Sequence, residues 1–340
     1  MLGALLDIVP AHPAKVAGAT GHQGDDPMRR RTVLATVPAG LLPRLDHALA
    51  LPGQPGIAAQ YRQARRLFDA GRLAQLVDAL PDLLASAHAE TASHEPVAYG
   101  RLTACYTLAS ETLNKAGAHE AGRLTADRAV IFADLAESPL SKTVAARALG
   151  IVLRHQGDHQ LADEVALSAA NALEATGLPT AEHAATYALA LCTCAYNAAT
   201  AGRRDAALAL ISEARSAAGG LDITTSSGHP FALTTAQVTL YQLGIHWALG
   251  DAGAALHAAR YLRPEHFPTP ERRARLHTDR ARAWAQCGKP AETARALLHA
   301  HGEAPAEVRN RPSIRALATD LIRAHPSAHE VRLLAATLRS

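Results

Sequence analysis

From Ile57 onward, apolar residues recur at spacings of three and four, in runs broken by short polar turns. That period predicts amphipathic helices, and no stretch alternates apolar and polar positions as a half-buried strand would. The expected helices form pairs over 57–70 with 72–88, 96–116 with 119–136, 140–156 with 159–176, 180–201 with 204–218, 230–249 with 252–262, and 271–287 with 290–301. A last pair, 305–324 with 327–338, has a weaker signature and reads as a capping unit. Residues 1–55 break the pattern, with prolines at 10, 13, 27, 38, 43, 52 and 55. They read as an N-terminal linker or partly disordered segment with short helices over 2–9 and 41–49. The domain reading is therefore 1–55 linker, 56–303 six helix pairs, and 304–340 capping helices.

Six glycines mark a repeat: Gly71, Gly117, Gly157, Gly202, Gly250 and Gly288, separated by 46, 40, 45, 48 and 38 residues. Each ends one amphipathic run and precedes another, as expected of a residue that terminates a helix in the left-handed conformation. Seven residues before them stand Ala64, Ser110, Gly150, Ala195, Leu243 and Ala281. Five residues after stand Leu76, Gly122, Ala162, Ala207, Ala255 and Thr293. Mostly small residues at these offsets let two antiparallel helices approach closely at their crossing.

Composition agrees with this packing. Half of the chain is hydrophobic at 48%, yet aromatics make up only 4%, so alanine and leucine supply the apolar surface. The net charge of +3, with acids and bases well mixed, shows no basic block of a dedicated nucleic-acid-binding domain. Cys105, Cys192, Cys194 and Cys287 match neither a disulfide framework nor a zinc site, and read as reduced, buried thiols of a cytoplasmic protein. No apolar run approaches a membrane span. The run Arg29–Arg31 before Thr32-Val33-Leu34 faintly resembles an export signal but is interrupted by Pro38 and Pro43, and reads as a basic linker.

Small residues recurring around a short turn in paired helices resemble the tetratricopeptide repeat (TPR), with Gly150–Ala169 and Ala195–Ala214 as the clearest copies. The units run longer than the usual period of about 34 residues, so the array is an irregular one. The expected fold is all-α, a TPR-like right-handed superhelix of antiparallel helix pairs, that is, an α-solenoid. At family level, Tyr61–Gly71, Leu80–Leu84, Leu108–Asn114, Leu149–His155 and Leu191–Asn197 resemble the sensor region of actinobacterial helix-turn-helix regulators with C-terminal TPR arrays. The segment Asp26–Leu34 is similar to the linker that follows the DNA-binding domain there, but the residues before it are too few, and too rich in proline, glycine and alanine, for that domain. The resemblance implies a cytoplasmic regulator of secondary metabolism or differentiation that senses a ligand or dimerises.

In such an array the first helix of each pair lines the concave face. Its inward positions give Tyr61, Arg65 and Phe68, then Thr107, Glu111 and Asn114, then Arg147, Ile151 and Arg154. Later units add Cys192 and Tyr196, Gln237 and Trp247, and Thr278 and Arg282. Asn114 can donate to and accept from a peptide backbone; the array is also similar in architecture to the peptide-pheromone receptors of other Gram-positive bacteria, and that resemblance extends to Asn114 alone. Arg147 and Arg154, seven apart on one helical face, suit an anion unless Glu111 already pairs with them. Tyr196 and Trp247 offer flat contact area.

Other chemistry is thinly represented. The eighteen histidines form no convergent ligand set, so no metal and no cofactor are expected. Neither a nucleophile elbow nor a phosphate-binding glycine loop is present. Arg272, Arg273, Arg275, Arg280 and Arg282 cluster on one helix and read as a solvated face. The sequence thus points to a non-enzymatic module that binds a peptide, a small molecule or a protein, with no membrane association and with homodimer formation open. Direct DNA binding and a pathway enzyme on a helical scaffold stand as alternatives.

Overall fold

In the computed structural model the described residues are 56–219 and 233–339. The expected linker over 1–55, its short helices and the basic run Arg29–Arg31 lie outside them, as do residues 230–232. Among the described residues the chain is all-helical, with no strand. Helices pair with their sequence neighbours: α1 (Ile57–Asp69) with α2 (Leu73–Glu90), α3 (Pro96–Lys115) with α4 (His119–Leu135), and α5 (Pro139–His155) with α6 (His159–Glu174). Next come α7 (Ala181–Thr200) with α8 (Arg204–Gly219), α9 (Thr235–Ala248) with α10 (Ala252–Ala258), and α11 (Pro270–Gln286) with α12 (Pro290–Glu303). The chain ends in α13 (Pro305–Arg309), α14 (Pro312–Ala324) and α15 (His329–Arg339).

The turns explain the repeat. Each of the six turn glycines has a positive φ, between 66° and 85°. At the first, Gly71 N–H donates to the Phe68 carbonyl at 2.9 Å and Arg72 N–H to the Leu67 carbonyl at 2.9 Å. This double bond is the Schellman closure, which satisfies carbonyls that the helix end leaves open. The same pair of bonds recurs at the other five glycines, down to Gly288 with Ala285 and Lys289 with Trp284. Helix starts are specified as locally: Ser138, Asp158, Thr180, Asp251 and Thr269 cap with their side chains, and Pro96, Pro139 and Pro270 occupy first-turn positions.

The small residues sit at the crossings. Ser110 Oγ donates to the Gly122 carbonyl at 2.9 Å, joining α3 to α4. A Cβ on Gly150 would stand 3.0 Å from the Ala162 carbonyl oxygen and 3.2 Å from the Ala166 Cβ, so α5 and α6 touch through backbone. The first helices also pack on one another in succession, α1 on α3, α3 on α5, α5 on α7, α7 on α9 and α9 on α11.

The succession returns to its start. Helix α11 contacts α1, and Ala306 of α13 packs against the core around Leu76, Leu102 and Tyr106. A Cβ on Gly71 would lie 2.7 Å from the Ala304 Cβ, and one on Gly117 would lie 2.6 Å from Pro312 Cγ. Residues Ala304 and Pro312 therefore sit on the turns at Gly71 and Gly117. Three local features depart from the sequence reading. Pro312 divides the helix expected over 305–324 at Asn310 and Arg311, because a proline lacks the amide the helix needs there. The helix expected over 252–262 ends at Ala258 and gives way to a 3₁₀ turn at Pro264–His266. Cys287 is exposed, whereas the other three cysteines are buried.

Candidate functional site

Closing the succession of first helices puts their inward side chains against one another. Arg147 on α5 spans three neighbours: Nη1 donates to Glu111 Oε1 of α3 at 2.6 Å, Nε to Thr193 Oγ1 of α7 at 3.1 Å, and Nη2 to the Tyr241 hydroxyl of α9 at 3.4 Å. Arg65 of α1 lies 3.7 Å from the other Glu111 oxygen and 3.1 Å from Asp69. Burial opposes the Glu111 charge, but Arg147 and then Arg65 outweigh it and hold the carboxyl below its ordinary range. Burial likewise opposes the Arg147 cation, and Tyr241 and Glu111 outweigh it in turn.

A second knot closes the circuit. Lys115, at the end of α3, ion-pairs with Glu271 of α11 and lies 2.5 Å from Glu307 of α13. Both carboxylates are almost fully buried, at 4% and 0% side-chain exposure. Arg311 stands 3.7 Å from Glu307, and Arg272 stands 3.4 Å from Glu271. On the same helix Arg275 donates to Asp279 at 2.6 Å, and Arg282 approaches its other oxygen at 3.4 Å while donating to Ser313 at 2.7 Å.

Arg154 differs from all of these. Nη1 donates to Asn197 Oδ1 at 2.7 Å, and the guanidinium lies 4.7 Å from the centre of the Tyr196 ring. Among the described residues it has no carboxylate partner, and its Nε and Nη2 make no hydrogen bond. Burial, with Arg275 and Arg147 as further cations nearby, pushes its pKa down to about 10. Arg311 is pushed to about 10 as well, by burial and then by Arg282 and Arg275.

The residues expected on the concave face therefore divide. Arg65, Glu111, Arg147, Arg154 and Tyr196 meet in this one cluster, and Tyr61 stands beside Arg65 and Glu111 with its hydroxyl raised to about 12 by burial. A hollow of about 510 Å³ opens beside Tyr61 between the starts of α1 and α3, lined mostly by apolar side chains. Asn114 is buried, and its Oδ1 is taken at 2.6 Å by His119 Nδ1, so its amide is engaged within the turn. Gln237 works as half of a capping box with Thr234 at the start of α9. Thr107 is buried, and its hydroxyl has no hydrogen-bond partner among the described residues. Trp247 packs against the α9–α11 core and carries Arg282 4.7 Å above its ring. Cys192 and Thr278 are buried.

The arginine-rich helix is not the solvated face that its composition suggested. Arg275 and Arg282 point to Asp279, Arg273 pairs with Glu303 at 2.7 Å, and Arg280 donates to the Ala259 and Leu262 carbonyls. Glu271, Arg275, Asp279 and Arg282 follow one another at steps of four, four and three, which is one stripe of a helix. That spacing was available in the sequence. Tyr241 and Lys115 lie one position off the inward register inferred from the turn glycines, and Glu307 and Arg311 follow the last repeat, where no glycine anchors a register.

Among the described residues no group of three or more His, Cys, Asp or Glu side chains could hold a metal, and no helix is long and apolar enough to cross a membrane. A scan of protein-family models finds no match to the chain, and the curated proteins compared with it give none either.

Proposed function

We propose that this chain is a non-enzymatic regulatory module of the TPR type, a right-handed superhelix of antiparallel helix pairs that binds a ligand inside its closed ring of first helices. The observation that carries the reading is Arg154. Its guanidinium is part-buried, lies over the Tyr196 ring and is held by Asn197, yet among the described residues two of its nitrogens have no protein acceptor. A part-buried cation that is oriented but not neutralised is poor design for stability and good design for binding. Because the segment 304–312 packs onto the first two turns, a small molecule suits the interior better than an extended peptide or a folded protein. A role in transcriptional control of secondary metabolism or differentiation rests on the family resemblance alone, and a cytoplasmic location on that resemblance and the cysteine pattern.

The test is a thermal-shift panel of small molecules, neutral and charged, together with short peptides. A true ligand at a hundred times its dissociation constant stabilises by about 2.7 kcal/mol. Tm should rise for wild type with at least one small molecule and stay unchanged for Tyr196→Ala. If only folded proteins bind, or if Tyr196→Ala keeps the response, the interior is not the binding site.

A further inference from the structure

The charges of the interior do not balance. The cations Arg65, Lys115, Arg147 and Arg154 from the first three pairs meet Arg272, Arg275 and Arg282 of α11 and Arg311 between α13 and α14. Against these eight stand, among the described residues, the carboxylates Asp69, Glu111, Glu271, Asp279 and Glu307, three fewer. Such an excess inside a ring of packed helices is costly, because each charge removed from water must be met by another.

Its distribution is uneven. Glu111, Glu271 and Glu307 are each shared between two cations and form the struts between helices. The uncompensated part lies where α5, α7, α9 and α11 meet. There, among the described residues, Arg154 has no carboxylate, Arg275 and Arg282 share Asp279, and Arg311 Nη1 has only Glu307 at 3.7 Å and no hydrogen bond. Gly244 belongs to the same place: a Cβ on it would lie 2.9 Å from Tyr196 Cε2 and 3.8 Å from Asp279 Oδ2. The side chains keep accessible surface, 22% for Arg275 and 10% for Arg282, although helices surround them.

We infer that the interior binds a small molecule carrying two or more negative charges on oxygen, with Arg154 as its principal contact and Arg275, Arg282 and Arg311 supplying the surrounding field. Guanidinium groups suit this chemistry because their paired N–H donors match the oxygens of a phosphate or a carboxylate. Phosphate esters and di- or tricarboxylates share it. The inference rests on the reading of the interior as a ligand site and narrows its ligand to one class.

Isothermal titration of the full chain with inorganic pyrophosphate and with citrate, at fixed ionic strength, tests it, with acetate and chloride as monovalent controls. One multivalent anion should bind per chain, and Arg154→Gln should weaken it at least about tenfold. Arg154→Lys, which keeps the charge and loses the paired donors, should fall between. In chloride buffer Arg154→Gln should melt at or above the wild-type temperature, because it removes a part-buried cation with no carboxylate partner among the described residues; a purely structural arginine would give a lower Tm. A preference for pyrophosphate assigns a phosphate ligand, and a preference for citrate assigns a carboxylate. Equal binding to wild type and Arg154→Gln marks surface attraction and overturns the inference, as does the absence of binding by either anion. In those cases a neutral compound that stabilises wild type but not Tyr196→Ala leaves the ligand site standing with a different ligand class. If no compound does so, both readings fall.

Discussion

Lys115 of α3 lies 2.5 Å from Glu307 of α13, so the second helix pair is fastened to a segment beyond the sixth. The same ammonium serves Glu271, and both carboxylates are buried. Burial opposes the Glu271 charge, and Lys115, followed by Arg272, holds its carboxyl far below the ordinary range. Removing one partner of a buried pair leaves the other uncompensated, which costs about 3–5 kcal/mol. Lys115→Met should lower the midpoint of urea unfolding accordingly, and adding Glu307→Gln should recover part of the loss. An unchanged midpoint would mean that this ion pair does not fasten the ends.

The closure has an apolar counterpart at the turns. Gly71 and Gly157 both have positive φ, 70° and 84°, so alanine at either costs about 1 kcal/mol in backbone strain. Only at Gly71 would the new Cβ meet something, the Ala304 Cβ at 2.7 Å; at Gly157 nothing lies within 4 Å. Gly71→Ala should therefore lose about 1–3 kcal/mol more than Gly157→Ala in matched denaturation curves, as overpacking does. Equal losses would show that the α12–α13 junction does not rest on this turn in solution.

These two features also show what the sequence could convey. The turn glycines were legible because the Schellman turn is a local device and needs glycine at one position in each unit. Ser110 with Gly122 and Gly150 with Ala162 were legible for the same reason, since both partners belong to one hairpin. The pairing of Lys115 with Glu271 and Glu307 was not, because it joins residues whose proximity depends on how far the succession of pairs curves. That curvature comes from the summed packing of the first helices, and no short segment encodes it. Arg147 and Arg154 illustrate the consequence within the candidate site. Their seven-residue spacing placed both on the inward face, but only the tertiary neighbours Glu111, Thr193 and Tyr241 distinguish a satisfied arginine from an open one.

That distinction predicts unequal effects from equal substitutions. Arg147→Ala removes hydrogen bonds to three helices and deprives Glu111 of its closest cation, which should cost about 3–5 kcal/mol. Arg154→Ala removes one hydrogen bond to Asn197 and a cation over Tyr196, and relieves repulsion from Arg275 and Arg147. Guanidinium chloride unfolding of both single variants should assign nearly all the instability of the double variant to Arg147. Equal losses would place the two arginines in the same structural role.

A pH dependence follows from His277 on α11. The residue is buried, its ring meets His299 of α12 edge-on at 5.2 Å, and its pKa is pushed down to about 4 by burial, then by His299 and Arg280, with Glu303 acting the other way. An imidazole whose folded pKa lies below its unfolded value of about 6.5 binds protons more readily when the chain is unfolded. Its contribution to stability is therefore complete above pH 6.5 and is lost as pH falls from there through about 4. The shift sets an upper limit on the order of 3 kcal/mol for that loss. The difference in unfolding free energy between wild type and His277→Asn, measured from pH 7.5 to pH 4.5, should shrink as the pH falls, because the asparagine variant has no proton to take up at this position. A difference that stays constant across the range would mean that His277 does not titrate between the folded and unfolded states.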